Sequence, residues 1–302
     1  MTADTNAPAG DSPASRSDDQ VGGPSPPTQA VTGLHPRHLL LLDTPALRPF
    51  TYMGSGYQVR VLGWAALTEA ARLAPPSAVA LVEAFPDGPD TPDLHIKALM
   101  EAAPLTPVLA GFDLASARHA GVRLLAEWGV SEVVDLPIEH TPSSLLVRLN
   151  AVHALPFKRR LAHGLAREVS ANALTLVLET AGIIADGGLS GDVARSFGVA
   201  ERTLTTWCAR EALPQPRRLL AWLRVLLALS LLEQPWRTVR HTAHAIGYTD
   251  EKTLRRAARG LLGTSVELRQ TSFSHALSAF SSELASLRQV LRVAPRAGST
   301  WS

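Results

Sequence analysis

Cysteine is the scarcest resource in this sequence. Cys208 stands alone among 302 residues, so no internal disulfide can form and a thiolate cage for a metal has no ligands. A reducing interior suits such a chain, and the cytoplasm is the expected location. Long apolar runs are missing as well, since nowhere do eighteen apolar residues follow one another. The opening MTADTNAPAGDSPASRSDDQ lacks the basic start and apolar stretch of a secretion signal. The expectation is a protein neither exported nor membrane-spanning, with no membrane among its partners.

Catalytic signatures are absent too. There is no G-x-x-x-x-G-K-[ST], no G-x-S-x-G and no H-E-x-x-H. His241 and His244 are three apart on an expected helix, but no Cys, Asp or Glu stands at a helical spacing that would complete a metal site. Cys208 shares an apolar side with Leu204, which makes it a small core residue rather than a redox sensor. No enzyme, cofactor or metal is expected.

What the chain does have is an uneven charge. Residues 34–150 carry 8 Lys and Arg against 12 Asp and Glu, whereas residues 183–270 carry 13 against 8. A net +2 thus conceals a basic C-terminal half, as expected where that half alone approaches a polyanion. The hydrophobic fraction of 46% suffices for two domains with separate cores.

Residues 1–33, rich in Pro, Gly, Ser, Ala and Asp, cannot repay the entropy of folding and read as a disordered tail. From residue 34 to 155, apolar runs of strand length (38–42, 57–62, 78–83, 106–111 and 132–136) alternate with helical patterns at 64–74, 93–103, 115–129 and 142–154. Five strands alternating with helices imply a doubly wound α/β domain with a parallel sheet covered on both faces. Pro156 with Lys158, Arg159 and Arg160 marks a linker or linker helix over 156–170. Beyond it, 171–270 reads as all-α, and 271–302 as an amphipathic helix and tail. In that helix Leu277, Phe280, Leu284, Leu287 and Leu291 share a face. Either packing on its own domain or a dimer seam would cover them.

One internal similarity organises the C-terminal half. VARSFGVAERTLTTWCAR (193–210) and TAHAIGYTDEKTLRRAAR (242–259) follow the same scheme. Ala194 and Ala243 each precede a glycine by four residues, Gly198 and Gly247. In a helix-turn-helix the alanine sits where two helices approach most closely, and the glycine takes the left-handed conformation that ends the first. Leu204 and Leu254 begin the buried faces of the second helices, with Thr249 expected to cap the later one ahead of Asp250 and Glu251. Residues 216–234 between the units are apolar around most of the helix circumference, as a buried spacer rod would be.

Gly247-Tyr248, the helix with Leu254 and Arg256, Gly263, Glu267-Leu268-Arg269 and Arg224 in the rod together resemble the AraC/XylS family of transcription regulators. The resemblance covers about 80 residues, from Leu189 to Arg269. It implies a non-enzymatic, sequence-specific regulator that binds double-stranded DNA near promoters, commonly as a homodimer and in contact with RNA polymerase. The chain departs from the family where Leu254 and Ala258 replace aromatic residues, where Val266 stands near a usual proline, and where Thr206 replaces a basic residue. A protein-contact adaptor that keeps the fold without reading DNA is the alternative.

With Leu254, Ala257, Ala258 and Leu261 as the buried side, Lys252, Arg255, Arg256 and Arg259 fall on or beside the opposite side. Phosphates neutralise such a cluster, and an arginine fork reads guanine. In the first unit the exposed candidates are Glu201, Arg202, Thr205 and Thr206. The second unit is expected to supply more phosphate attraction and the first more side-chain-specific contact.

The N-terminal pattern resembles a response-regulator receiver domain, whose chemistry needs an acidic pair after the first strand, an aspartate after the third, Thr or Ser after the fourth and Lys after the fifth. Here the first strand offers Asp43-Thr44, Glu83 stands at the degenerate phosphoacceptor position, the fourth runs into Ala110-Gly111 and the fifth ends in Leu136-Pro137. A receiver-like domain that accepts no phosphate is expected, serving dimerisation or binding a protein or small effector. Pro49, Gly54 and Gly56 make its first helix irregular.

Overall fold

The computed structural model describes residues 36–54, 56–263 and 266–293. The tails expected at either end lie outside the described residues. Strands β1 (Arg37–Leu42), β2 (Tyr57–Leu62), β3 (Val79–Glu83), β4 (Val108–Phe112) and β5 (Glu132–Asp135) form one parallel sheet of order β2-β1-β3-β4-β5. This is the doubly wound order of receiver-like folds, with its switch point between β1 and β3. Helices α1 (Trp64–Leu73), α2 (Leu94–Ala102), α3 (His119–Trp128) and α4 (Pro142–Val152) follow β2 to β5.

Burial explains the composition of the strands. Leu39 to Leu42, Val79 to Val82 and all of β4 are buried because helices cover both faces, so these strands are continuously apolar, whereas edge strand β2 mixes half-buried and exposed positions. Between β1 and β2 the chain forms only a 3-10 helix, Pro45–Thr51, with Pro49 inside it and Leu47 and Phe50 still buried. A proline cannot donate to a regular α ladder, which accounts for the irregularity. Helix α3 begins later than its sequence pattern. The Asp113 carboxylate accepts from Ala115 N at 3.0 Å, and the Asp113 carbonyl accepts from Ser116 and Ala117, a turn that draws these residues out of the helix.

The stretch from Pro156 lies in helix α5 (Leu155–Leu165). Its proline occupies the first turn, where a missing N–H costs nothing, and Phe157, Leu161 and Leu165 enter the C-terminal core. Seven further helices follow: α6 (Ala171–Ala185), α7 (Ser190–Ser196), α8 (Glu201–Arg210), α9 (Pro216–Leu232), α10 (Val239–Ala245), α11 (Glu251–Leu262) and α12 (Phe273–Val293). Rod α9 is buried from Leu219 along nearly its whole length and forms the centre of this second core.

Helix α12 docks on α9 and α5. Phe280 packs 5.3 Å from Trp222, and Glu283 accepts from Arg218 Nε, Arg218 Nη2 and Trp222 Nε1 at 2.6–2.8 Å. The helix's own domain therefore covers its apolar stripe through Leu284, while Val290 and Leu291 remain 66% and 48% exposed.

The two cores meet along the N-terminal edge of the sheet. At one point Arg37 Nη2 lies 3.0 Å from the buried Asp186 carboxylate at the end of α6, and His153 Nε2 lies 3.2 Å from its other oxygen. Burial alone would raise the Asp186 carboxyl, yet the His153 hydrogen bond and charge, with Arg37 behind them, hold it below the usual carboxylate range. At a second point Trp236 and Arg237, between α9 and α10, reach the end of α1: Trp236 Nε1 donates to the Arg72 carbonyl, and Arg237 Nη2 donates to the Ala74 carbonyl at 2.7 Å.

Candidate nucleic-acid interface

Each helix-turn-helix unit is closed by the same backbone device. Val199 N donates to the Ala194 carbonyl and Tyr248 N to the Ala243 carbonyl, both at 2.9 Å. These bonds wrap the chain over Gly198 and Gly247, whose φ values of +65° and +85° lie in the left-handed region. Ala194 and Ala243 are buried beneath the turns.

Helix α8 holds Leu204 and Cys208 in the core and leaves Arg202, Thr205 and Thr206 exposed. Burial pushes the Cys208 thiol up to about 11, so it stays protonated at neutral pH and behaves as an apolar group. Thr205 Oγ1 donates to the Glu201 carbonyl at 3.0 Å and Thr206 Oγ1 to the Arg202 carbonyl at 3.1 Å. Each hydroxyl proton is thus spent on its own helix, and the oxygen lone pairs point outward as acceptors.

Helix α11 is started by Asp250 rather than Thr249. The Asp250 carboxylate accepts from Thr253 N at 2.7 Å, while Thr249 turns its hydroxyl toward Asp250 itself. Aspartate is the stronger cap because its charge also meets the positive helix end, and the exposed carboxyl is held below its ordinary range by the hydrogen bonds from Thr253. Leu254 and Ala258 are fully buried, and Lys252, Arg256 and Arg259 are exposed.

Arg255 differs from its neighbours. Its Nε and Nη2 donate to Glu251 Oε1 at 2.8 and 2.7 Å, and its Nη1 donates to Glu267 Oε2 at 3.2 Å. Two carboxylates already compensate this guanidinium, so the exposed charge of the helix rests on Lys252, Arg256 and Arg259. The four-residue spacing from Glu251 was the legible sign of this pairing; Glu267 lies across a turn and is joined only by the fold.

The family model described as a helix-turn-helix domain matches residues 193–268. The chain carries an AraC-type helix-turn-helix domain. The match runs from the first turn helix to Leu268, and domains of this type mark a family of DNA-binding regulators. Neither a curated protein nor a solved structure matches the chain. Within the AraC-type domain, Arg224 of the rod donates to the Gly188 carbonyl at 2.7 Å and lies 6.0 Å from the Tyr248 ring centroid. Arg269, near the end of the domain, donates to the Arg237 carbonyl.

Histidines 241 and 244 are exposed on α10, and among the described residues no cluster of His, Cys, Asp and Glu could hold a metal. No described helix is long and apolar enough to cross a membrane.

At the far, C-terminal edge of the sheet, Glu83 is half-buried in a cleft of about 450 Å³ with Phe85, Phe112, Asp113 and Leu136. Strand β4 runs on to Phe112, so Asp113 and not Gly111 follows it. A glutamate at the third strand and an aspartate after the fourth do not reproduce the receiver's acceptor and hydroxyl positions.

Proposed function

We propose that this protein is a sequence-specific transcription regulator that sets α8 and α11 into successive major grooves on one face of duplex DNA, about 34 Å apart. One observation carries the reading: Lys252, Arg256 and Arg259 are exposed together on a helix whose opposite face, Leu254 and Ala258, is fixed in the core. Such a helix cannot roll to hide its charges, and a phosphate backbone supplies the neutralisation that the protein withholds from them. Arg256 and Arg259 have the fork geometry that reads guanine. On α8, Arg202 supplies a donor, and Thr205 and Thr206 supply acceptors suited to exocyclic amines of bases.

In this reading the receiver-like half, 34–155, senses or assembles, and residues 171–270 read DNA. The exposed Val290 and Leu291 support homodimerisation through the end of α12, and a promoter-bound dimer would lie within reach of RNA polymerase. Gel shift against genomic fragments at near-physiological salt, with sequencing of the retained fragments, tests the proposal. A regulator enriches one motif with two half-elements about ten base pairs apart. A protein-contact adaptor enriches none.

A further inference from the structure

Beside the second contact between the two cores lies a cleft of about 360 Å³ that neither core forms alone. Pro104 and Leu105, in the turn before β4, supply one wall, Pro156 of α5 another, and Pro235 and Trp236 a third. Proline rings lose no side-chain entropy when a ligand settles on them. The indole is also held in place, since its Nε1 donates to the Arg72 carbonyl and the Arg72 guanidinium lies 4.3 Å over its ring. The walls are therefore apolar and largely preorganised, the combination that favours small-molecule binding.

The polar groups at the rim define what the cleft would accept. Arg160 Nη1 already donates to Ser230 at 2.6 Å and to Glu233 at 2.8 Å, and its guanidinium stacks 4.1 Å over Phe273. Gln234 Oε1 is taken by Arg237 Nε at 2.9 Å. The charges are compensated within the protein, so a charged ligand would lose its hydration without gaining a counter-ion. The volume suits a molecule on the order of ten to fifteen non-hydrogen atoms.

The position of the cleft gives its occupant leverage. Trp236 is followed by Arg237, a buried cation whose guanidinium bonds neutral acceptors, the Ala74 carbonyl and Gln234, and whose pKa burial lowers to about 10. Next comes Thr238, the cap of α10, whose hydroxyl accepts from His241 N. A molecule touching Leu105 on one side and Trp236 on the other binds the docked arrangement better than a separated one, and that differential affinity is what coupling requires. We propose that this cleft binds a neutral, flat, largely apolar small molecule, and that the bound molecule couples the receiver-like half to the second helix-turn-helix unit.

Calorimetric titration of the full chain with 2-naphthol tests the assignment. Saturable one-site binding is expected, at least tenfold weaker with the anion 2-naphthoate and at least tenfold weaker in Leu105→Arg, with a cooperative thermal transition confirming that this variant is folded. Trp236→Ala serves as a second variant and should weaken 2-naphthol binding by a similar factor. Hydrogen exchange should slow on 2-naphthol binding both at residues 72–74 and at 236–239. Absence of saturable binding, equal binding of the anion, equal binding by Leu105→Arg, or protection confined to one half would overturn it. None of these readouts involves DNA, so they stand apart from the fate of the recognition-helix proposal.

Discussion

Arg224 grips the carbonyl of Gly188 at 2.7 Å while its guanidinium lies 6.0 Å from the ring centroid of Tyr248. One side chain on the buried rod thereby touches the approach to the first unit and the turn of the second. The backbones themselves come close at this point: a Cβ on Gly247 would sit 3.7 Å from Gly187. Burial lowers the pKa of Arg224 and raises that of Tyr248, the cost of packing polar groups between two small helical units. Arg224→Ala should lower stability by about 1–3 kcal/mol, because the Gly188 carbonyl loses its partner. It should also loosen the spacing of the units, so urea denaturation and DNA affinity would both change. An unchanged affinity for a full site would separate the arginine from reader spacing.

The turn glycines make a sharper test. A Cβ at Gly198 would meet nothing within 4 Å, and one at Gly247 makes only ordinary contacts. Any loss from Gly198→Ala or Gly247→Ala therefore comes from the left-handed backbone alone, about 1 kcal/mol. Asparagine tolerates that conformation, so Gly247→Asn should recover much of the loss in the same denaturation experiment.

The salt dependence of DNA binding should divide the cations of α11. Arg256→Ala and Arg259→Ala are each expected to reduce the slope of log affinity against log salt by about 1. Arg255→Ala should reduce it less, since Glu251 and Glu267 already neutralise that side chain. Glu267→Gln should raise affinity for unrelated DNA by freeing part of the Arg255 charge. Equal slope changes for Arg255 and Arg256 would show that the carboxylates release Arg255 on binding.

Acid should weaken the contact between the two halves. The Asp186 carboxyl is held below its ordinary range by His153 and Arg37 against the opposing effect of burial. Its stabilisation is therefore present above the unfolded value of about 3.9 and disappears as pH falls through the lower folded value. Asp186→Asn should cost about 3 kcal/mol at neutral pH, since it leaves Arg37 without a counter-charge. The thermal midpoints of variant and parent should converge as pH falls below the ordinary carboxylate range.

Much of this architecture follows from local pattern. Strands β1, β3 and β4 announce themselves as short continuous apolar runs, because a strand covered on both faces has no polar side to alternate. The paired turns are legible in Ala194, Gly198, Ala243 and Gly247, because close helix approach and a positive φ each admit few residue types. Helical period likewise separates Leu254 and Ala258 from Lys252, Arg256 and Arg259.

Tertiary structure decided the rest, where partners are distant along the chain. That Arg255 is neutralised by Glu267, that Asp250 displaces Thr249 as the cap, and that the helix from Leu155 joins the second core all depend on which groups meet after folding. The same holds for Asp186 with Arg37 and for Arg237 with Ala74, pairs separated by well over a hundred residues. Periodicity records which face of an element is buried. It carries no record of what that face is buried against, and the charges and carbonyls joining the two halves are set by that second fact.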